Sequence, residues 1–142
     1  HLASSAASDV YKRQYLGLGN GWFIVMLLSN VLILIGIWII SAGWERVYES
    51  QGAIVTDGIY RYMRHPQYTG IFIITLGFMI QWPTLATLIL WPFVIWMYVR
   101  LARREERDVL EKHPQAYRQY MERTPMFFPN PFSSRTSTDA TP

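Results

Sequence analysis

TGIFIITLGFMIQWPTLATLILWPFVIWMYV, residues 69–99, runs for 31 positions without a charged side chain, and the way it divides decides the fold. An uncharged, mostly apolar run of roughly 18 residues or more marks a membrane-spanning helix, and this one is too long for a single crossing. Gln81-Trp82-Pro83-Thr84 stands near its middle. Proline has no amide hydrogen to donate and disfavours helix at the residue before it. The run therefore reads as a helical hairpin, with one helix over 66–81, a tight turn, and a second helix from 84 that crosses to 104 and continues to 111. A helix over 66–81 would be roughly 24 Å long at about 1.5 Å per residue. That is short of a hydrocarbon core of about 30 Å, so local thinning or a buried tip is expected. Pro66 suits the first turn of its helix, and Pro92 is expected to kink the second.

Upstream, residues 22–44 form a second charge-free run of 23 positions. It predicts a span over 21–44, with Trp22, Trp38 and Trp44 at or near its ends, where indoles favour the interface. Gly36 and Gly43, seven apart, read equally as positions that admit another helix closely or as glycines that simply face lipid. Between the two runs lies a polar connector, ERVYESQGAIVTDGIYRYMRH, with a turn signal at Thr56-Asp57-Gly58. The fold class is thus all-α, multi-pass membrane: one transmembrane helix, a hairpin, and helices that leave the bilayer at the C-terminal end.

Downstream of Val99 the chain turns charged, RLARREERDVLEKH, and a short helix is expected over 114–123. Residues 133–142 are rich in Ser, Thr, Asp and Pro and are expected to be disordered. Residues 1–14, HLASSAASDVYKRQ, have neither an apolar period nor the layout of a signal peptide. They resemble an adapter-derived string at the end of a translated fragment and are read as a non-native or disordered leader, with further spans expected upstream of it in the natural chain. The folded domain is set at 15–132.

Composition excludes several chemistries. The 142-residue chain has no cysteine, which rules out disulfides and thiolate metal sites. His1, His65 and His113 are too far apart in sequence for metal-ligand spacing, so no metal is expected. The net charge of +3 comes from basic residues that flank apolar runs. That pattern fits a membrane surface, the lipid bilayer being the expected partner, and gives no support to nucleic-acid binding. Arg46, Arg61 and Arg64 sit in the connector, and Arg100, Arg103, Arg104, Arg107, Lys112, Arg118 and Arg123 follow the hairpin, while the 81–84 turn has no charge. By the positive-inside rule both basic segments face the cytoplasm.

Two clusters carry the candidate chemistry. Arg64-His65-Pro66-Gln67-Tyr68-Thr69-Gly70 lies at the mouth of the hairpin and Glu105-Glu106 at the end of its returning helix. A hairpin brings its ends together, so the clusters are expected to meet on one face of the membrane. Taken singly, Arg64 and His65 also read as head-group anchors, Tyr68 as a belt aromatic, Gly70 as a packing residue, and the glutamates as partners in i,i+4 pairs. The two glutamates point about 100° apart on a helix, so one at most is expected to face inward.

The combined pattern is more specific. Gly58-x-Tyr60-x-x-x-Arg64-His65-Pro66-x-Tyr68-x-Gly70, an apolar hairpin, Glu105-Glu106, then Tyr117-x-x-Tyr120 and the 125–129 segment resemble the isoprenylcysteine carboxyl methyltransferase family over roughly residues 45–130. The resemblance implies S-adenosyl-L-methionine as cofactor, held between the transmembrane helices and the C-terminal segment. It implies His65, Pro66, Tyr68, Glu105 and Glu106 as cofactor-binding residues; Tyr60 and Gly70 join them as candidates, and Arg64 and His65 are the candidate catalytic residues, either suited to the cofactor carboxylate by charge-assisted hydrogen bonds. It further implies methyl transfer to a lipophilic or small acceptor, with a prenylcysteine-type carboxylate first, and a small thiol or phospholipid amine as the alternatives. A bacterial inner membrane is the expected location, with the site on the cytoplasmic face. Two other classes stay open: a membrane reductase of the sterol reductase type, for which no dinucleotide fingerprint is present, and a non-catalytic membrane subunit that binds head groups. The latter would need the basic residues and not Glu105 and Glu106. The oligomeric state is not readable.

Overall fold

The computed structural model describes residues 2–129, with side chains from residue 9 onward apart from positions 13, 15, 16 and 18. The expected disordered tail, 133–142, lies outside the described residues. Four α-helices follow in order, α1 Leu2–Glu49, α2 Pro66–Gln81, α3 Leu85–Lys112 and α4 Pro114–Arg123, with a single 3₁₀ turn Gly58–Arg61 between α1 and α2. There is no strand among the described residues. Two of the helices, over Gly19–Glu49 and Leu85–Lys112, are long and apolar enough to cross a membrane. With most of their large apolar side chains turned outward, they make this an integral membrane protein rather than one with a buried soluble core.

The expected hairpin is present with its expected first helix. α2 covers 66–81 with Pro66 in its first turn, where a missing N–H costs nothing. α3 starts at Leu85 because Thr84 is its cap: the Thr84 hydroxyl accepts from the Thr87 amide, and the Thr87 hydroxyl accepts from the Thr84 amide. The first helix, by contrast, overruns the expected 21–44 at both ends and continues through the residues read as a leader. Its stretch from 2 to 49 holds no proline. It stops where Gln51 and Gly52 take φ of 47° and 91°, a left-handed pair that no α-helix continues through.

α1 and α2 form the most extensive helix pair, and small residues set their separation. Ser29, Gly36 and Gly43 on α1 recur every seven positions opposite Gly77, Gly70 and Pro66 on α2. A Cβ on Gly36 would sit 2.7 Å from the Gly70 carbonyl oxygen, and one on Gly70 the same 2.7 Å from the Gly36 carbonyl oxygen. The two backbones therefore touch at that point, as small residues permit inside membranes. α3 returns antiparallel to α2. Trp91 Nε1 donates to the Thr75 hydroxyl at 3.2 Å, and the Tyr98 ring packs on Tyr68 and Phe72 with centroids 5.1 and 6.2 Å away. This packing brings the start of α2 beside the charged end of α3.

Candidate functional site

The start of α2, the end of α3 and the segment after α4 meet around one buried ion pair. Arg64 Nε donates to Glu106 Oε1 at 2.7 Å, with the two side chains 9% and 6% exposed. Burying either charge alone would cost several kcal/mol, so each is retained only because the other is there. Arg64 Nη1 also donates to the carbonyl oxygens of Met121 and Thr124, at 3.0 and 2.9 Å, the last groups of α4 that have no intrahelical partner. His65 Nε2 donates to the same Glu106 oxygen at 3.1 Å. Glu106 is thus the fixed point from which Arg64 and His65 are both oriented.

The segment 124–127 is laced to the start of α2 through its backbone. The Arg64 and His65 amides donate to the carbonyls of Pro125 and Met126, at 2.9 and 3.0 Å. The Thr69 hydroxyl, on a residue 1% exposed, donates to the Phe127 carbonyl at 2.7 Å. Phe127 then packs edge-on to Phe72, with centroids 5.3 Å apart. Because Thr69→Val leaves that carbonyl buried without its donor, the substitution is expected to lower stability by about 1–3 kcal/mol. A thermal melt in detergent, read together with faster proteolytic cleavage within 124–129, would check this.

Above the ion pair lies a half-open groove of about 330 Å³, near the lower end of volumes that hold small ligands. Tyr60, His65, Tyr68 and Glu105 supply its polar wall, and Trp44, Val47 and Val109 supply apolar surface. The Tyr68 hydroxyl donates to Glu105 Oε1 at 2.6 Å. The His65 and Tyr68 rings stack with planes 6° apart and centroids 5.4 Å apart. The Glu105 side chain is 49% exposed, its nearest basic side chain among the described residues being His65, whose Nδ1 lies 3.8 Å away. Burial first, and then the Glu105 charge, raises the Tyr60 phenol. Burial, followed by the Glu106 charge, pushes the Tyr117 phenol up to about 12. Both groups therefore stay neutral O–H donors at working pH, and the groove presents the Glu105 carboxylate among aromatic side chains.

The two sequence clusters do meet, as the hairpin required, and Tyr60, Arg64, His65, Pro66, Tyr68 and Glu105 all border the groove. Two expected residues sit elsewhere. Gly70 is buried at the α1–α2 crossing, and Glu106 lies behind the groove under Arg64 and His65. Arg64 borders the groove, but its Nε and Nη1 are occupied by protein acceptors, so its first task is to hold the C-terminal segment. Trp44, Val47, Val109 and Tyr117 were not foreseen as lining residues. Trp44 is the last residue of the expected span and the overrun of α1 carries Val47 there, while the Tyr117-x-x-Tyr120 spacing is the signal for Tyr117. Tyr120 donates to the Tyr60 carbonyl at 2.6 Å and so ties α4 to the connector.

A sequence model of the phospholipid methyltransferase family matches residues 17–116. The chain is 34% identical over 77 residues to the Protein-S-isoprenylcysteine O-methyltransferase of Schizosaccharomyces pombe, a match covering 54% of this chain and 33% of that protein. It is 30% identical over 113 residues to the methanethiol S-methyltransferase of Crocosphaera subtropica, covering 77% of this chain and 43% of that protein. The chain therefore spans less than half the length of either relative. No solved structure matches it.

Proposed function

The chain belongs to the phospholipid methyltransferase family, and from that premise we propose that it takes part in S-adenosylmethionine-dependent methyl transfer to a lipophilic acceptor at the membrane surface. The observation that carries the reading is the groove itself, where an exposed Glu105 carboxylate, held by the Tyr68 hydroxyl, stands among aromatic faces above a buried Arg64–Glu106 pair.

These residues fit the cofactor's chemistry. Glu105 suits an ammonium group or ribose hydroxyls, by charge-assisted hydrogen bonds. The rings of Tyr60 and Trp44, which border the groove, suit a sulfonium, which a ring quadrupole attracts as it does any soft cation. His65, whose Nε2 bonds Glu106 and whose Nδ1 lies 3.8 Å from a Glu105 oxygen, stands beside that carboxylate in the groove. When bound, S-adenosylmethionine supplies an electrophilic methyl group on a sulfonium that leaves as a neutral thioether. The chain's own task is then to align that group with the acceptor and keep water out. An acceptor that is already anionic, such as a prenylcysteine-type carboxylate or a thiolate, requires no base, so no proton transfer is given to His65. Trp44, Val47 and Val109 offer apolar surface for the acceptor's lipophilic part. The accompanying topology is multi-pass in a bacterial inner membrane, with the connector and the segment after Val99 on the cytoplasmic side.

Isothermal titration of the purified, detergent-solubilised protein tests the reading. S-adenosylmethionine is expected to bind saturably and NADPH not at all. Glu105→Gln, which keeps the shape and removes the charge, is expected to weaken binding by roughly 10–100-fold, the worth of one charge-assisted hydrogen bond. Saturable NADPH binding without S-adenosylmethionine binding would instead favour a reductase, and equal affinity in Glu105→Gln would remove Glu105 from the site.

A further inference from the structure

The outward face of α3 changes character along its length in a fixed order. Phe93 and Trp96, each 55% exposed, lie side by side with ring planes tilted by 33° and centroids 5.8 Å apart. Arg100 follows, its guanidinium 5.5 Å from the centre of the Trp96 ring. Arg103, Arg104 and Arg107 come next and are exposed. At about 100° per residue, these six positions fall within an arc of roughly 100°, opposite the inward pair Ala102 and Glu106. The face thus passes from apolar to aromatic to cationic in the order of a leaflet's hydrocarbon, interface and head groups. Arg100 to Arg107 rises about 10 Å along the helix, comparable with a head-group layer of roughly 5–8 Å on each side of the core.

Within that arc the four arginines have no carboxylate partner. No ion pair among the described residues includes any of them, and Arg107 Nε donates instead to the Arg103 carbonyl at 3.3 Å. Glu111, one turn further along the same arc, pairs with none of them. Four like charges so close repel one another, and no carboxylate among the described residues lies within ion-pair distance of them. A covering helix would have to bury these guanidinium groups, and a soluble anion would leave the continuity with Phe93 and Trp96 without a purpose.

We propose that this face of α3 is a lipid-contact surface whose arginine stripe binds the phosphates of anionic phospholipids in the adjoining leaflet. Anionic lipids are preferred over zwitterionic ones because their phosphates carry no covalently attached cation to compete with the guanidinium groups. The proposal rests on the membrane reading of α3 and is independent of the methyl-transfer reading.

The test is native mass spectrometry of the full chain in an uncharged detergent, titrated with phosphatidylglycerol or phosphatidylcholine. The wild type is expected to retain phosphatidylglycerol at least roughly tenfold more strongly, from several basic contacts at the surface. The fourfold variant Arg100→Gln/Arg103→Gln/Arg104→Gln/Arg107→Gln is expected to lose that preference. A control that removes the same charge elsewhere, Arg61→Gln/Lys112→Gln/Arg118→Gln/Arg123→Gln, is expected to keep most of it. Equal loss in both variants, no preference in the wild type, or displacement of the lipid by millimolar inorganic phosphate would overturn the proposal. Should circular dichroism show the fourfold variant unfolded, the pair Arg103→Gln/Arg107→Gln replaces it, and an undiminished preference in that folded pair overturns the proposal equally.

Discussion

Glu106→Ala is expected to destabilise the protein by about 3–5 kcal/mol, the usual result of removing one partner from a buried ion pair. The reason is what stays behind. Arg64 remains charged because guanidinium cannot shed its proton in a protein, and its side chain is 9% exposed, so neither water nor another carboxylate replaces the lost oxygen. His65 loses the acceptor that orients its Nε2. The damage then spreads along the bonds that Arg64 makes to Met121 and Thr124, and the C-terminal segment loosens from the start of α2. S-adenosylmethionine binding is expected to be lost as well, although Glu106 does not line the groove. Denaturant or thermal unfolding in detergent measures the first effect and isothermal titration the second. Glu106→Gln, which keeps an acceptor and the shape, should lose less on both. The double substitution Arg64→Met/Glu106→Leu should be more stable than Glu106→Ala, because it removes the orphaned charge together with its partner. A loss below about 1 kcal/mol in Glu106→Ala would mean that the pair is solvated.

Much of this arrangement is legible in the sequence because strong local rules govern it. A charge-free run interrupted by Trp82-Pro83 has one sensible division, and α2 begins and ends where that division puts it. The meeting of Arg64-His65 with Glu105-Glu106 follows from the hairpin alone. Which glutamate turns inward does not. The 100° between neighbours separates the two, but the rotational phase of α3 is set by packing, Ala102 and Glu106 being its buried residues. For the same reason Gly70 reads equally well as a ligand cradle or a packing residue until its partner helix is known. The lacing of 124–127 is less legible still, because its acceptors are backbone carbonyls of Pro125, Met126 and Phe127 that every residue possesses. The length of α1 is not legible in the charge-free run, because the absence of charge marks the extent of hydrocarbon contact, not the extent of helix. α1 carries Glu45, Arg46 and Glu49 within its last turns, beyond the apolar run.

The position of His65 and Tyr68 depends on the glycine crossing at Gly70, five and two residues further along the chain, and Gly70→Ala is expected to displace them. The added Cβ would meet Ile40 Cγ1 at 2.5 Å and the Gly36 carbonyl oxygen at 2.7 Å. Ile40 has other rotamers, but the carbonyl belongs to the helix backbone and moves only if α1 moves. Overpacking of this kind costs about 1–3 kcal/mol, from which the better helix propensity of alanine recovers at most about 1 kcal/mol. Separation of α1 from α2 also opens the groove wall, since Trp44 and Val47 come from α1 and His65 and Tyr68 from α2, so ligand binding should weaken along with stability. Gly36→Ala meets the reciprocal carbonyl at 2.7 Å and should match it, while Gly43→Ala, 3.3 Å from Pro66 Cγ, should be mild. Gly21→Ala has nothing within 4 Å and should be neutral or slightly stabilising. Unfolding of the four variants in the same detergent gives the ranking. If Gly70→Ala and Gly36→Ala behave like Gly21→Ala, the helices are not in backbone contact, and the groove must be positioned by the ion pair alone.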